Sequence, residues 1–135
     1  MKGRLFPQRL EQTGYTPEDF SHVVISHLHT DHAGNLRMFA ATTASIHLGE
    51  DELRGAVSQK GGLLRDDLVT LWGVTSPQGF TRHDFACLLP DRAIPVFADF
   101  ELLPGVWIVT LPGHTWGTVG VAVHLQEEEA GSLDE

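Results

Sequence analysis

Short apolar runs, each bounded by turn-forming residues, divide this chain into predicted strands. Residues 22–26, 45–48 and 105–111 are rich in β-branched and other apolar side chains, and they have the length of buried strands. Residues 118–125 alternate in the manner of a half-buried strand. Residues 93–98 predict a short strand or sheet edge, because Pro95 lacks the N–H that a central strand requires.

Helical patterns lie between these predicted strands. Thr16 has the character of an N-cap and Pro17 suits the first helical position, so a short helical turn is expected over residues 16–20. After the next predicted strand, Leu36 and Phe39 have the spacing of one helix face packed on a core. Since strands alternate with helices, the fold class predicted is α/β.

A single domain is expected over residues 1–135, with an acidic tail at 126–135. The apolar share of 41% is that of a packed globular chain. Residues 50–59 predict a further helix, which the Gly-Gly pair at 61–62 closes. Residues 63–90 mix glycine, proline and aromatic side chains, so a loop with short helices is expected there.

Charge and hydropathy exclude several classes of function. The formal net charge of −9 argues against nucleic-acid binding, because no basic stripe is present to neutralise phosphates. No apolar run approaches the ~20 residues of a membrane span, and the first ten residues lack the apolar core of a signal peptide. Cys87 is the one cysteine, which excludes an intrachain disulfide. A soluble, cytoplasmic protein is expected.

Three histidines and an aspartate lie within six residues, His27 to His32, directly after the first predicted strand. In an extended segment, residues i and i+2 point the same way, so His27 and His29 are expected to face one point while Leu28 enters the core. Asp31 and His32 follow a turn and reach a neighbouring point. Imidazole and carboxylate are ligands for zinc, iron or manganese, and the lack of thiolates favours a catalytic over a structural site.

A further ligand is expected from the segment "LPGHTWGT", where His114 follows another predicted strand through a Pro-Gly turn. Functional side chains are commonly held on loops at strand ends, so His114 is a candidate partner of the first cluster. Thr115 and Thr118 are candidates for hydrogen bonds behind the ligands, although ordinary turn and strand roles also explain them. Trp116 is a candidate pocket wall or packing residue.

The segment "HLHTDHAG" resembles the H-x-H-x-D-H signature of the metallo-β-lactamase superfamily, and "LPGHTWGT" resembles that superfamily's next metal-ligand segment. The resemblance extends over residues 15–125. Within the superfamily, similarity is greatest to the hydrolase branch of lactonases and glyoxalase-II-like thioesterases. The resemblance implies part of an αββα sandwich.

The resemblance also implies a ligand set and a reaction. His27, His29 and His114 match the ligands of a first metal ion, and Asp31 and His32 match ligands of a second. One or two Zn²⁺ ions are implied, and iron or manganese are alternatives. With iron, the protein would be a redox member of the family, an alternative ranked below the hydrolase. The implied activity is attack of metal-bound hydroxide on the carbonyl of a small ester, thioester, lactone or lactam. Asp31 would be both a ligand and the residue that orients the nucleophilic water.

The chain departs from the superfamily pattern at both ends. The family's opening strands have no match before Met1, and its bridging aspartate and last histidine ligand have none after residue 125. Asp134 lies at a roughly suitable distance but lacks the preceding apolar strand. Three explanations stay open: a truncated reading frame, a fragment that needs a partner, and a shortened domain. The alternative function is therefore a weak or inert metal-binding fragment, and an uncovered sheet edge would favour a homo-oligomer.

The remaining candidates have simpler expected roles. Three histidines lack partners at metal-ligand spacing and are expected at the surface or in the core: His22, His47 and His83. Four aromatic side chains are expected in the core: Trp72, Phe80, Phe85 and Trp107. The triplet Arg82, His83 and Asp84 is a candidate lining of a substrate pocket.

Overall fold

The structure, a computed structural model, describes residues 5–58, 80, 82–89 and 91–126. Its helices are α1 (Phe6–Gln12), α2 (Thr30–Ala33), α3 (Leu36–Ala40), α4 (Glu50–Ser58) and α5 (Arg82–Phe85), with 3-10 turns at Pro17–Asp19 and Ala86–Leu88. Its strands are β1 (His22–Ile25), β2 (Ser45–Gly49), β3 (Ala93–Val96), β4 (Phe100–Leu103), β5 (Val106–Thr110) and β6 (Val119–Val123). Trp72, Asp134 and the acidic tail from residue 127 lie outside the described residues.

The first sheet is parallel, in the order β1-β2-β3. Val23 lies opposite Ile46, and Leu48 lies opposite Pro95 on β3. A proline is tolerated on β3 because this strand ends the sheet, where a missing N–H interrupts no inner ladder. Parallel neighbours need a crossover connection, and α2, α3 and α4 lie on the connections between these strands. The predicted α/β class is confirmed.

The second sheet is antiparallel, in the order β4-β5-β6. Gly105 makes the turn between β4 and β5 with φ of 77°, a conformation that glycine adopts without steric cost. Trp107 lies opposite Ala122, and Val109 lies opposite Gly120, so these two side chains of β5 each face a small residue on β6. Trp107 is 41% exposed, so the expectation that it is a core residue is wrong.

Side chains alternate between the two faces of the first sheet and so build two cores. One face packs on the helices, with these buried members: Leu28, Leu36, Ile46, Leu48, Phe80, Phe85 and Leu88. The other face packs on the second sheet, with these members: Val24, Val96, Phe100, Leu102, Ile108 and Val119. The described residues therefore form a helix layer, a sheet and a second sheet, which is the arrangement expected for part of an αββα sandwich. None of the described helices is long and apolar enough to cross a lipid bilayer.

The sequence patterns located most of these elements but missed three. The strands expected at 22–26, 45–48 and 105–111 are confirmed as β1, β2 and β5. Helix α1 was not expected, and neither was the short helix α2, where the sequence analysis placed only a turn. Strand β4 was also missed, because its short Phe-Glu-Leu-Leu segment has weak alternation. For the segment 63–90, the described part contains α5 and a 3-10 turn, as expected for a loop with short helices.

His47 lies between the two sheets and is 5% exposed. Its ring stacks on His22 at 5.7 Å between centroids and lies 6.1 Å from Phe100. Neither ring nitrogen of His47 has a hydrogen-bond partner among the described residues. Burial lowers the pKa of His47, because the interior disfavours the charged imidazolium, and the neighbouring His22 lowers the pKa further.

The lowered pKa of His47 predicts a loss of stability in mild acid. Below its ordinary pKa of 6.5, the unfolded chain binds a proton that the folded chain binds only at lower pH. The unfolded state then holds more protons, so the free energy of unfolding falls as pH falls through this window and is fully retained above it. Urea unfolding of the metal-free protein at several pH values should show this slope.

The variant His47→Leu should have a shallower slope, while His124→Gln, at an exposed histidine beyond β6, should leave the slope unchanged. Parallel profiles for the wild type and His47→Leu would contradict this assignment.

Candidate metal centre

Three histidines converge where strands of both sheets end. His27 and His29 follow β1, and His114 lies on the loop between β5 and β6. The backbone N–H of Val119, the first residue of β6, donates to the carbonyl of Ser26 at 2.9 Å. This bond joins the start of β6 to the end of β1, and it therefore brings the His114 loop beside the first two histidines.

The three imidazole rings surround a single point. The ring centroids lie 4.9 Å apart for His27 and His29, 4.8 Å for His27 and His114, and 4.9 Å for His29 and His114. One nitrogen from each ring lies within 4.8 Å of the other two. His29 Nδ1 and His114 Nε2 are 3.2 Å apart. Nitrogens that bind one tetrahedral zinc ion at ~2.0–2.1 Å lie about 3.3 Å from each other, so this separation suits a shared cation.

His27 supplies a second indication that the cluster fits a cation. Its Nδ1 lies 2.9 Å from the hydroxyl of Ser26, while its Nε2 is buried and has no hydrogen-bond partner among the described residues. An unpaired buried nitrogen is costly unless a ligand satisfies it. Desolvation lowers the pKa of His27, as do the neighbouring imidazoles His32, His29 and His114, whereas Glu52 opposes the shift. The neutral imidazole is the form that binds metals.

Asp31 and His32 lie beside this triad but not within the group of nitrogens that surrounds the point. Both are on α2, where Asp31 occupies the first turn and His29 the N-cap position, so Asp31 does not cap the helix. The Asp31 carboxylate is 78% exposed and lies 3.6 Å from His32 Nε2. The His32 ring is 4.1 Å from that of His27 between centroids. The His32 ring thus lies against the triad, and the Asp31 carboxylate lies next to His32.

Two buried carboxylates lie behind the ligand segment. Glu52, on α4, is fully buried, and its Oε1 accepts a hydrogen bond from the backbone N–H of Leu28 at 2.8 Å. Asp84, on α5, accepts a hydrogen bond from the hydroxyl of Thr30. Asp84 was expected to line a pocket, but it is 8% exposed and supports the segment from behind. Sequence reasoning did not single out Glu52, because a glutamate in a helix pattern gives no sign of burial.

An open cavity of about 580 Å³ adjoins the triad. Among the described residues, its lining is His29, Phe80, Pro112, Gly113, His114, Thr115 and Trp116. Trp116 is 45% exposed and stacks on the buried Phe80, with ring centroids 5.3 Å apart. A Cβ atom on Gly55 would lie 2.3 Å from the indole, so the ring also packs closely on α4. Trp116 therefore serves both as a packing residue and as a cavity wall.

Thr115 and Thr118 close the loop that carries His114. Their hydroxyl oxygens are 2.7 Å apart, and the backbone N–H of Thr115 donates to Thr118 Oγ1 at 3.1 Å. The backbone N–H of Leu111 donates to the Thr118 carbonyl at 2.8 Å, which holds the two ends of the loop together. These bonds define the shape of the loop from which the His114 ring projects.

Comparison with known proteins agrees with this fold. Residues 2–128 match the model of the metallo-beta-lactamase superfamily. The chain belongs to the metallo-β-lactamase superfamily. A divalent cation, typically zinc, is characteristic of that family, and the histidine triad is a group that could hold one.

Among curated proteins, the chain is similar to N-acyl homoserine lactonases. It is 33% identical to AiiB of Agrobacterium fabrum over 125 residues, which are 90% of this chain and 42% of the relative. It is 27% identical to AiiA of Bacillus thuringiensis subsp. kurstaki over 125 residues, which are 92% of this chain and 40% of the relative. The chain thus spans less than half the length of these relatives.

Solved structures show the same likeness. An N-acyl homoserine lactone hydrolase with the product N-hexanoyl-L-homoserine at its catalytic metal centre superposes with a TM-score of 0.65 at 24% identity, covering 89% of this chain and 39% of that one. A quorum-quenching N-acyl homoserine lactone hydrolase superposes with a TM-score of 0.62 at 26% identity, covering 85% of this chain and 38% of that one. At 24% identity, the likeness to the product-bound hydrolase shows a shared fold and nothing more.

Proposed function

We propose that this protein is a metal-dependent hydrolase that opens lactone rings, with N-acyl homoserine lactones as the substrate class. His27, His29 and His114 would hold the cation, and zinc is the ion that three neutral imidazoles and an open position favour. The observation that carries the proposal is the convergence of these rings around one point, with His27 Nε2 buried and lacking a partner among the described residues.

The cation would supply an acidic site that lowers the pKa of water and polarises a carbonyl. The side chains of this chain would do the rest. The exposed Asp31 carboxylate is available to accept a hydrogen bond from the attacking water and so to orient it, and its negative charge favours the proton leaving that water. Asp31 and His32, adjacent on α2, would provide ligands for a second, weaker ion.

The cavity supports a small, mostly apolar substrate. His29 and His114 form one part of its lining, and Trp116 with Phe80 forms an aromatic wall nearby. A lactone carbonyl placed against the histidines would leave an acyl chain free to lie along the half-exposed indole of Trp116. The similarity to N-acyl homoserine lactonases supports this choice among ester, thioester, lactone and lactam.

A second candidate function is metal binding without catalysis. One observation favours it: Asp31 and His32 lie outside the group formed by the histidine triad. In that case, a second copy or another polypeptide would supply the groups that complete the centre.

Hydrolysis assays on the full chain separate the two candidates. The protein, loaded with one or two equivalents of zinc, is incubated with N-hexanoyl homoserine lactone, a thioester and a β-lactam, and ring opening or acid release is followed by mass spectrometry. We expect turnover of the lactone that chelation abolishes and zinc restores. Asp31→Asn should lower the turnover about 10²-fold or more, the usual contribution of a positioned acid or base.

The exposed residue His124 provides a matched control, since His124→Ala removes an imidazole far from the cavity lining and should retain full turnover. Stoichiometric zinc binding without hydrolysis of any of the three substrates would support the non-catalytic candidate instead.

A further inference from the structure

Glu52 connects two segments that are far apart in the sequence. Its Oε1 accepts a hydrogen bond from the N–H of Leu28 at 2.8 Å, and its Oε2 accepts one from the N–H of Gly117 at 3.1 Å. Leu28 lies between His27 and His29, and Gly117 follows His114 on the same loop. One carboxylate thus holds both segments that carry the triad.

The packing around Glu52 allows little movement. The side chain is fully buried, on the third residue of α4. A Cβ atom on Gly117 would lie 2.2 Å from the Glu52 backbone nitrogen, and one on Gly49 would lie 2.0 Å from the Gly117 carbonyl oxygen. The His114 loop is therefore in direct backbone contact with the start of α4, and the carboxylate reaches both amides from a rigid base.

The chemistry of the two bonds requires a carboxylate. Two backbone N–H groups need two acceptor atoms, and an ionised carboxylate offers them at bond strengths above those of neutral acceptors. A glutamine would present one oxygen and one NH₂ group, so one amide N–H would face another donor. A shorter aspartate at the same position would not span both amides at these distances.

We propose that Glu52 is a positioning residue, which sets the separation of the His27–His29 pair from His114 and so preorganises the metal centre. This inference rests on the proposed metal site. Replacing a residue that orients metal ligands from behind typically lowers metal affinity or activity about 10- to 100-fold. Because Glu52 has no direct contact with the cavity, its effect would pass through the backbone at Leu28 and Gly117.

Metal titrations of the full chain test the proposal. Glu52→Gln should weaken zinc affinity about 10- to 100-fold in a chelator competition and should alter the visible absorption spectrum of the Co²⁺-loaded protein, which reports ligand geometry. Asp51→Asn, at the neighbouring exposed carboxylate of the same helix turn, should change neither. Leu53→Ala, which removes partly buried apolar contacts from α4, should lower stability while leaving the Co²⁺ spectrum unchanged.

The outcomes distinguish this proposal from the one on which it rests. If the wild type binds no zinc or cobalt, the metal site itself is wrong. If the wild type binds metal and Glu52→Gln keeps the same affinity and Co²⁺ spectrum, the positioning role is wrong. A spectrum altered equally by Leu53→Ala would also overturn it, because the effect would then follow from general destabilisation.

Hydrogen exchange of the wild type gives a test that does not depend on a variant folding. The amides of Leu28 and Gly117 should both be protected from exchange in the metal-free protein, since Glu52 holds them before any ion binds. Exchange of either amide at the rate of an open loop would contradict the proposal.

Discussion

Replacing His114 by alanine is expected to abolish metal binding at the triad, and with it the proposed activity. The substitution leaves two imidazoles of the three that surround the point, and it removes the ligand that comes from the second sheet. Loss of a direct ligand should exceed the ~10- to 100-fold penalty of losing an outer partner. Zinc per chain, measured after gel filtration, should fall from about one or two equivalents to near zero, and lactone turnover should fall with it.

The His114 ring is not part of either buried core, so His114→Ala should stay folded, with an unchanged far-ultraviolet circular dichroism spectrum. The control is His83→Ala, a half-buried histidine on α5 that is not in the triad. Full zinc content in His114→Ala would remove the basis of the proposed function. Equal loss in both variants would indicate a folding effect instead.

Replacing Gly117 by alanine is expected to cause a large loss of stability, because an added methyl group has no room there. The new Cβ would lie 2.2 Å from the backbone nitrogen of Glu52 and 2.8 Å from its Cβ, and neither atom can move without shifting α4 or the His114 loop. Overpacking of this kind costs about 1–3 kcal/mol, and a backbone clash should reach the upper end of that range. Urea unfolding should give the change in the free energy of unfolding.

Gly120→Ala is the matched control for this prediction. Its Cβ would approach Leu111 Cδ1 at 2.8 Å, but that atom is the end of an exposed, flexible side chain that is free to turn away. The free energy of unfolding of Gly120→Ala should therefore stay close to that of the wild type. A Gly117→Ala variant as stable as Gly120→Ala would show that the loop and α4 are not in the tight contact described.

Much of the fold was predictable because short, strongly apolar strands leave a local signal. The β-branched runs of β1, β2 and β5 could be recognised as strands from their composition and length. The strand β4 was not predicted, because its pairing with β5 through the turn at Gly105 stabilises a segment with weak intrinsic preference. Helix α1 was missed for a similar reason, since Leu10 on its buried side becomes informative only against the helix-layer core.

The candidate site was likewise predictable only in part. The spacing of His27, His29 and His114 after strand ends indicated a metal centre, and the structure brings their rings within 4.9 Å of one another. The carboxylates behind them carried no such signal. Glu52 resembles any acidic residue of a first helical turn, and Asp84, a candidate pocket residue, is instead buried and accepts a hydrogen bond from Thr30.

The sequence by itself determined the types of ligand and the strands that deliver them, because residue chemistry and short-range periodicity are local properties. Only the tertiary structure decided which groups meet. The bond from Val119 to Ser26 brings the His114 loop to the end of β1, and the Glu52 carboxylate holds both ligand segments. Such contacts join residues that are far apart in the chain. A local sequence pattern does not show which of these distant residues lie close together in space.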